Sequence, residues 1–187
     1  GPRTVLAGAS GLVHGGERVV LLGPNGSGKT TLIRILLGME AADAGRVRLA
    51  SGVRVGFLDQ LLATLELTQT VLEAFSQGLI GTEPELRARL HRYGLFADDE
   101  AHQPVGTLSL GQRRKLQIAR LVATEPTLLV LDEPTNHLDL ASVEQFETAL
   151  CGFQGTVLAI THDATFAEHV ATRLWRLKDG QLEPGAL

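Results

Sequence analysis

Apolar residues fall into two rhythms along this chain, short unbroken runs and helically spaced stripes, and the two take turns. Val19-Val20-Leu21-Leu22, Thr127 to Leu131 and Thr156 to Ile160 are runs of strand length with no polar alternation, which suits strands covered on both faces. Thr31 to Leu37, Val71 to Phe75, Glu83 to Tyr93, Gln112 to Thr124, Leu140 to Leu150 and Ala164 to Val170 read as helices. In Glu83 to Tyr93, Leu86, Leu90 and Tyr93 share a face, and Thr82 with Glu85 forms a capping-box pattern. Ser109 is the expected N-cap of the next helix, with Gln112 at the reciprocal position. There Leu116, Ala119, Leu121 and Val122 are expected inside, and the triplet Arg113, Arg114, Lys115 on a solvated outer face. Strands alternating with helices predict an α/β fold with a mainly parallel core sheet.

Other stretches predict antiparallel pairing. The segment from Thr4-Val5-Leu6 to Gly15-Gly16 reads as one or two strands closing on a glycine turn. Arg46 to Leu49 and Val53 to Leu58, either side of Ser51-Gly52, alternate like a half-exposed hairpin and predict an antiparallel β lobe. Leu174 to Lys178 and Gln181-Leu182 flank Asp179-Gly180, a second hairpin signal, with Trp175 as a packed strand residue. The whole of 1–187 reads as a single domain with a helical lobe inserted at about 62–107.

Composition adds limits. With 44% hydrophobic and 20% charged residues the chain is of ordinary globular type. A net charge of −4 argues against a general nucleic-acid binder, which needs clustered Lys and Arg. No apolar run is long enough to cross a bilayer, so no membrane insertion is expected. The single cysteine, Cys151, excludes a disulfide framework, fits a reduced, cytoplasmic setting and reads as a small buried or half-buried residue. His91 and His102 lack partners at ligand spacing and read as surface residues. Gly1-Pro2 resembles the remnant of a tag-cleaving protease, which predicts that the native segment starts at Arg3 within a longer chain.

The chemistry begins where the first apolar run breaks. Gly23-Pro24-Asn25-Gly26-Ser27-Gly28-Lys29-Thr30 fits the phosphate-binding pattern G-x-x-x-x-G-K-[ST], between a strand and a helix that opens through Thr31. Glycines let the amide N–H groups turn inward around a polyanion, and the helix N-terminus adds its partial positive charge. Lys29 is expected at the β- and γ-phosphates, and the Thr30 hydroxyl on Mg²⁺. The run ending at Leu131 gives way to Asp132 and Glu133, two acids at the carboxyl end of a strand, where such sheets bind ligands. Asp132 would hold the metal shell opposite Thr30, and Glu133 would polarise the attacking water as general base or positioning group.

Leu108-Ser109-Leu110-Gly111-Gln112 resembles the signature sequence of ATP-binding-cassette (ABC) ATPases, usually written L-S-G-G-Q. Gln60 resembles their Q-loop glutamine, His162 their switch histidine, and Asp139 their D-loop aspartate. Together with the glycine loop and the paired acids, these motifs stand in the family's order over nearly the whole chain. The resemblance implies a P-loop ATPase of ABC type that takes ATP and Mg²⁺. It also implies that two cassettes meet head to tail, so that Ser109, Leu110, Gly111 and Gln112 cover a nucleotide held by the second cassette. Gln60 would touch the metal or the attacking water, and His162 the γ-phosphate. A single cassette would then hydrolyse ATP weakly. Leu110 replaces the first glycine of the signature pair, a position without the γ-phosphate contact in the family. No aromatic residue precedes the phosphate loop in 1–22, where many ABC proteins stack the adenine, so another group such as Arg3 takes the base or the segment was cut away.

Asp132-Glu133-Pro134-Thr135-Asn136-His137-Leu138-Asp139 looks like the ABC-F form of this stretch. That class carries two cassettes in one polypeptide, lacks transmembrane domains and acts on ribosomes, as translation factors or in antibiotic resistance as ribosome-protection proteins. His137 marks the class and is not expected to be catalytic. Phe153-Gln154-Gly155-Thr156 resembles second halves more than first. The resemblance therefore implies one ABC-F cassette of a protein engaging the ribosome and tRNA. Two alternatives stay open: the ATPase subunit of a transporter, docking a membrane partner through Gln60 and the helical lobe, and a nucleotide-gated dimerising clamp in which hydrolysis only resets the state.

Overall fold

Six strands make one sheet in the order β2-β3-β4-β1-β5-β6 in the computed structural model, which describes residues 4–58, 65–92, 99–136 and 138–185. The strands are β1 (Arg18–Leu22), β2 (Val55–Leu58), β3 (Leu128–Asp132), β4 (Thr156–Thr161), β5 (Arg173–Lys178) and β6 (Gln181–Gly185). All pairings are parallel except β5 with β6, whose antiparallel turn falls on Asp179-Gly180. The central strands are apolar on both faces because helices cover both, and Val19, Val20, Val157 and Ile160 are fully buried.

Among the described residues there are six α-helices, α1 (Lys29–Leu36), α2 (Val71–Ser76), α3 (Glu83–Arg92), α4 (Leu110–Ala123), α5 (Leu140–Gly152) and α6 (Ala164–Val170), with two short 3-10 turns at Asp99–His102 and Val105–Thr107. The helices between β2 and β3 build a hydrophobic core of their own, with Val71, Phe75, Leu90, Val105 and Leu116 among its members. Helix α4 belongs to two cores at once. Leu116 and Ala119 enter the helical core, while Ile118 and Leu121 pack against the core under the sheet. The caps are local chemistry: Thr70 with Glu73 and Ser109 with Gln112 form full capping boxes, and the Thr82 N–H donates to Glu85 Oε2 at 2.7 Å. Among the described residues no helix is long and apolar enough to cross a membrane.

Four expectations are corrected. The hairpin over Arg46 to Leu58 does not form: its first arm has no strand, and its second, β2, lies parallel along β3 with Val55 opposite Leu128 and Leu58 opposite Leu131. Alternation reports a half-exposed strand but not its partner. Here β3 offers a whole register, and Gly56 admits the close approach, since a Cβ there would lie 2.7 Å from the Leu121 side chain. The antiparallel pairing in the described residues is instead β5–β6 and an isolated bridge between Thr70 and Pro104. Thr4 to Leu6 carry no strand, although the turn at Gly15-Gly16 is present. Cys151 is exposed, at the last turn of α5. Finally, Arg114 is not on a solvated face but 1% exposed, and Leu121 and Val122 are only half-buried. Tyr93 and Arg3 lie outside the described residues.

Candidate active site

The carboxyl ends of β1, β4 and β3 finish flush, because Leu22 pairs with Thr161 and Ile160 with Asp132. The residues after each strand are therefore delivered to one edge of the sheet. After β1 comes the glycine loop, after β3 Glu133, and after β4 His162.

In the loop, Gly28 caps α1 in the left-handed region at φ 101°, and Gly26 lies there too at 76°. A Cβ on Gly28 would meet the Val5 side chain at 2.8 Å, so both conformation and space demand glycine. Lys29 is buried to 6% exposure, its Nζ donating to the carbonyls of Gly23 at 2.6 Å and Pro24 at 3.0 Å. The ammonium is held by the loop that would surround a phosphate chain. The Ser27 hydroxyl is buried with no partner among the described residues, an unmatched polar atom in the same turn. Such a loop of inward glycines, with a buried ammonium and an orphaned hydroxyl, fits a polyanionic ligand.

Thr30 Oγ1 donates to Asp132 Oδ2 at 3.1 Å, joining the first helical turn to the end of β3. These are hard oxygen donors, and one carboxylate with one hydroxyl is what Mg²⁺ takes when substrate phosphates complete its shell. Among the described residues no cluster of three or more His, Cys, Asp and Glu forms a self-sufficient metal cage.

Glu133 turns the chain at φ +47°, a left-handed backbone that costs a non-glycine residue about 1–3 kcal/mol. Its N–H donates to the Ile160 carbonyl at 2.9 Å, and its carbonyl accepts from Asn136 N–H at 3.3 Å. The carboxylate meets His162 Nδ1 at 3.0 Å and accepts from the Thr161 hydroxyl at 3.4 Å. It is thereby held by β4 as well as β3, with 8% of its side chain exposed against 61% for His162.

The signature segment stands apart from this cluster in its exposure. Leu108 is buried as an anchor, while Ser109 and Leu110 are exposed. Ser109 Oγ accepts from the Gln112 N–H at 3.2 Å, and Gln112 Oε1 accepts from the Ser109 N–H at 2.9 Å. The first N–H groups of the helix, on Leu110 and Gly111, have no intrahelical acceptor and suit an anion. Asp139 caps α5 by accepting from Ser142 N–H at 2.9 Å and its hydroxyl at 2.8 Å, which holds its carboxyl below the usual range. Asp139 is exposed beside a 76% exposed Leu140. Gln60 and His137 lie outside the described residues.

Two further groups at the site belong to no sequence motif. Thr161 is fully buried, bonded to Glu133 and accepting from the Asp163 N–H at 3.0 Å. Arg114 donates to the carbonyls of Asp132 and Glu133, both at 3.2 Å. Its stripe with Ile118 and Leu121, at i, i+4 and i+7, is the one signal in the sequence that it faces the sheet.

The ABC transporter family matches residues 6–136 of this chain. Ribosome protection protein VmlR of Bacillus subtilis is 39% identical over 168 residues, covering 90% of the chain and 30% of the relative. ABC transporter F family member 5 of Arabidopsis thaliana is 37% identical over 174 residues, covering 91% and 25%. The chain thus spans about a third or less of the length of these relatives. Among solved structures, the dimeric bacterial ABC transporter cassette MJ0796 superposes with a TM-score of 0.83 at 26% identity, covering 96% of this chain and 88% of that one. A second structure of MJ0796, bound to ADP and Pi after hydrolysis, gives a TM-score of 0.82 at 25% identity, with the same coverage. Fold, motif order and these likenesses agree: the chain belongs to the ABC transporter family, as an ATPase cassette of the ABC-F type.

Proposed function

We propose that this cassette binds and hydrolyses ATP at a composite site completed by a second cassette, and that the protein carrying it acts in the cytoplasm on the ribosome. The observation that carries the ATPase half is the convergence of Lys29, the Thr30–Asp132 pair and the Glu133–His162 pair at one sheet edge. Lys29 exchanges loop carbonyls for the β- and γ-phosphate oxygens of ATP. Mg²⁺, when bound through Thr30 and Asp132, neutralises phosphate charge. Glu133 takes a proton from water, whose oxygen bonds to the γ-phosphorus as the bond to the β-phosphate oxygen breaks, giving ADP and phosphate. His162, on Glu133 in this structure, orients that carboxylate and reports on the γ-phosphate. Gln60 completes the water and metal environment, as its place after β2 suggests. Ser109, Leu110, Gly111 and Gln112 serve the partner's nucleotide, and Asp139 serves the contact with the partner cassette.

The ribosomal half is supported by VmlR, named as a ribosome protection protein, and by the Thr135 to Asp139 stretch. Co-sedimentation tests it: Glu133→Gln in the full chain, loaded with ATP, pellets with ribosomes, while Lys29→Ala does not. Absence of ribosome association under ATP contradicts this half. Association with a membrane protein instead favours the transporter reading, to which the MJ0796 likeness also points.

A further inference from the structure

Arg114 lies in the second turn of α4, five residues after the Ser109 N-cap, and is among the largest fully buried side chains. A guanidinium cannot shed its charge, so burial demands several acceptors in fixed positions. Those acceptors are main-chain carbonyls of the segment that carries the acids. Nη2 donates to Asp132 O and to Glu133 O, both at 3.2 Å, and Nε makes a longer contact of 3.5 Å with Pro134 O. Nη1 reaches Gln117 Oε1 on the same helix at 3.4 Å. Three successive carbonyls converge on one side chain because Glu133 turns the backbone into the left-handed region.

That turn decides where the Glu133 carboxylate points. Ile160 holds its N–H side from β4, and Arg114, with Asn136, holds its carbonyl side. The hold from α4 comes from a rigid element, since a helical rise of about 1.5 Å per residue puts Arg114 only about 7.5 Å along the axis from the helix start. That start carries Ser109 and Gly111, the groups presented to a partner's nucleotide.

We propose that Arg114 is a positioning residue that fixes the Glu133 peptide from the signature helix. The water-activating carboxylate of one site is then set by the same helix whose start meets the nucleotide of the other. This rests on the role of Glu133 proposed above. A movement of α4 on engaging the partner shifts the guanidinium and, through three carbonyls, the strained turn. The device differs from contact across the dimer because it acts wholly within one chain, from a helix side chain to the main chain of the turn.

The test compares Arg114→Met, Arg114→Lys and Glu133→Gln in the full chain, reading kcat and KM for ATP, melting temperature, and amide hydrogen exchange over residues 132–136. Met keeps the apolar stem but donates nothing. The expected result is a fall in kcat of about tenfold or more with KM within about twofold, faster exchange at 132–136, and partial recovery in Arg114→Lys. A wild-type kcat per folded molecule in Arg114→Met, with Glu133→Gln inactive, overturns the proposal and spares the assignment of Glu133. Wild-type turnover in Glu133→Gln overturns both. If Arg114→Met does not fold, Arg114→Lys decides: lowered kcat at unchanged melting temperature and KM supports the proposal, and wild-type kcat overturns it.

Discussion

Glu133 and His162 meet at 3.0 Å, and a second acid–imidazole pair with quite different work joins α5 to α6. There His169 Nδ1 of α6 faces Glu147 Oε2 of α5 at 2.8 Å. The hydrogen bond to Glu147 and then its charge raise the His169 pKa above the ordinary value of 6.5. A raised folded-state value means the protonated pair stabilises the native state. That stabilisation is fully present below pH 6.5 and is lost as pH rises through the higher folded value. Thermal melts of the wild type against Glu147→Gln should therefore differ at acidic pH and converge above neutrality. A gap of equal size at pH 5 and pH 9 would show that the pair contributes through packing alone.

Individual side chains are legible in the sequence where a local rule fixes them. The glycines of the phosphate loop, the Ser109 capping box and the two acids ending β3 are spacing statements, and local backbone chemistry enforces them. Arg114 is marked as a buried group only by its spacing with Ile118 and Leu121, against the rule that a run of three basic residues on a helix ordinarily meets water. Only the position of β3 behind α4 makes carbonyls available to it.

Elements divide in the same way. The apolar runs predict β3 and β4 because doubly covered strands have no polar face to show. Val53 to Leu58 reads as a hairpin arm because its alternation and the Ser51-Gly52 turn are local features. Its actual partner is more than 70 positions away, and Arg54 marks the join by donating to the Glu125 carbonyl at 2.8 Å. Short-range patterns carry no information about such a neighbour. The helices between β2 and β3 can be tested as a unit: their core closes around Leu90, which is fully buried, and is distinct from the cores at the sheet. Leu90→Ala should cost about 2–5 kcal/mol in denaturant unfolding, through lost transfer and a cavity. ATP affinity of the folded fraction should be unchanged, since the phosphate loop draws on β1 and α1. A parallel loss of ATP affinity would mean that the lobe and the loop are not separable.

For the whole molecule, the central claim is that its phosphate loop and its signature segment serve different nucleotides. The dimeric arrangement of MJ0796 is the property of a relative, and the exposure of Ser109, Leu110 and Asp139 is what this chain contributes. A mixing experiment separates the two halves. Lys29→Ala removes the loop's ammonium but keeps the signature. Ser109→Asp keeps a competent N-cap yet places a negative charge where the γ-phosphate of the partner's nucleotide would lie. The measurement is ATP hydrolysis by each variant chain alone and by their mixture. Head-to-tail sites predict two inactive variants whose mixture regains activity, because one of its interfaces joins an intact loop to an intact signature. A mixture as inactive as its parts, or full activity in Ser109→Asp alone, would contradict the account.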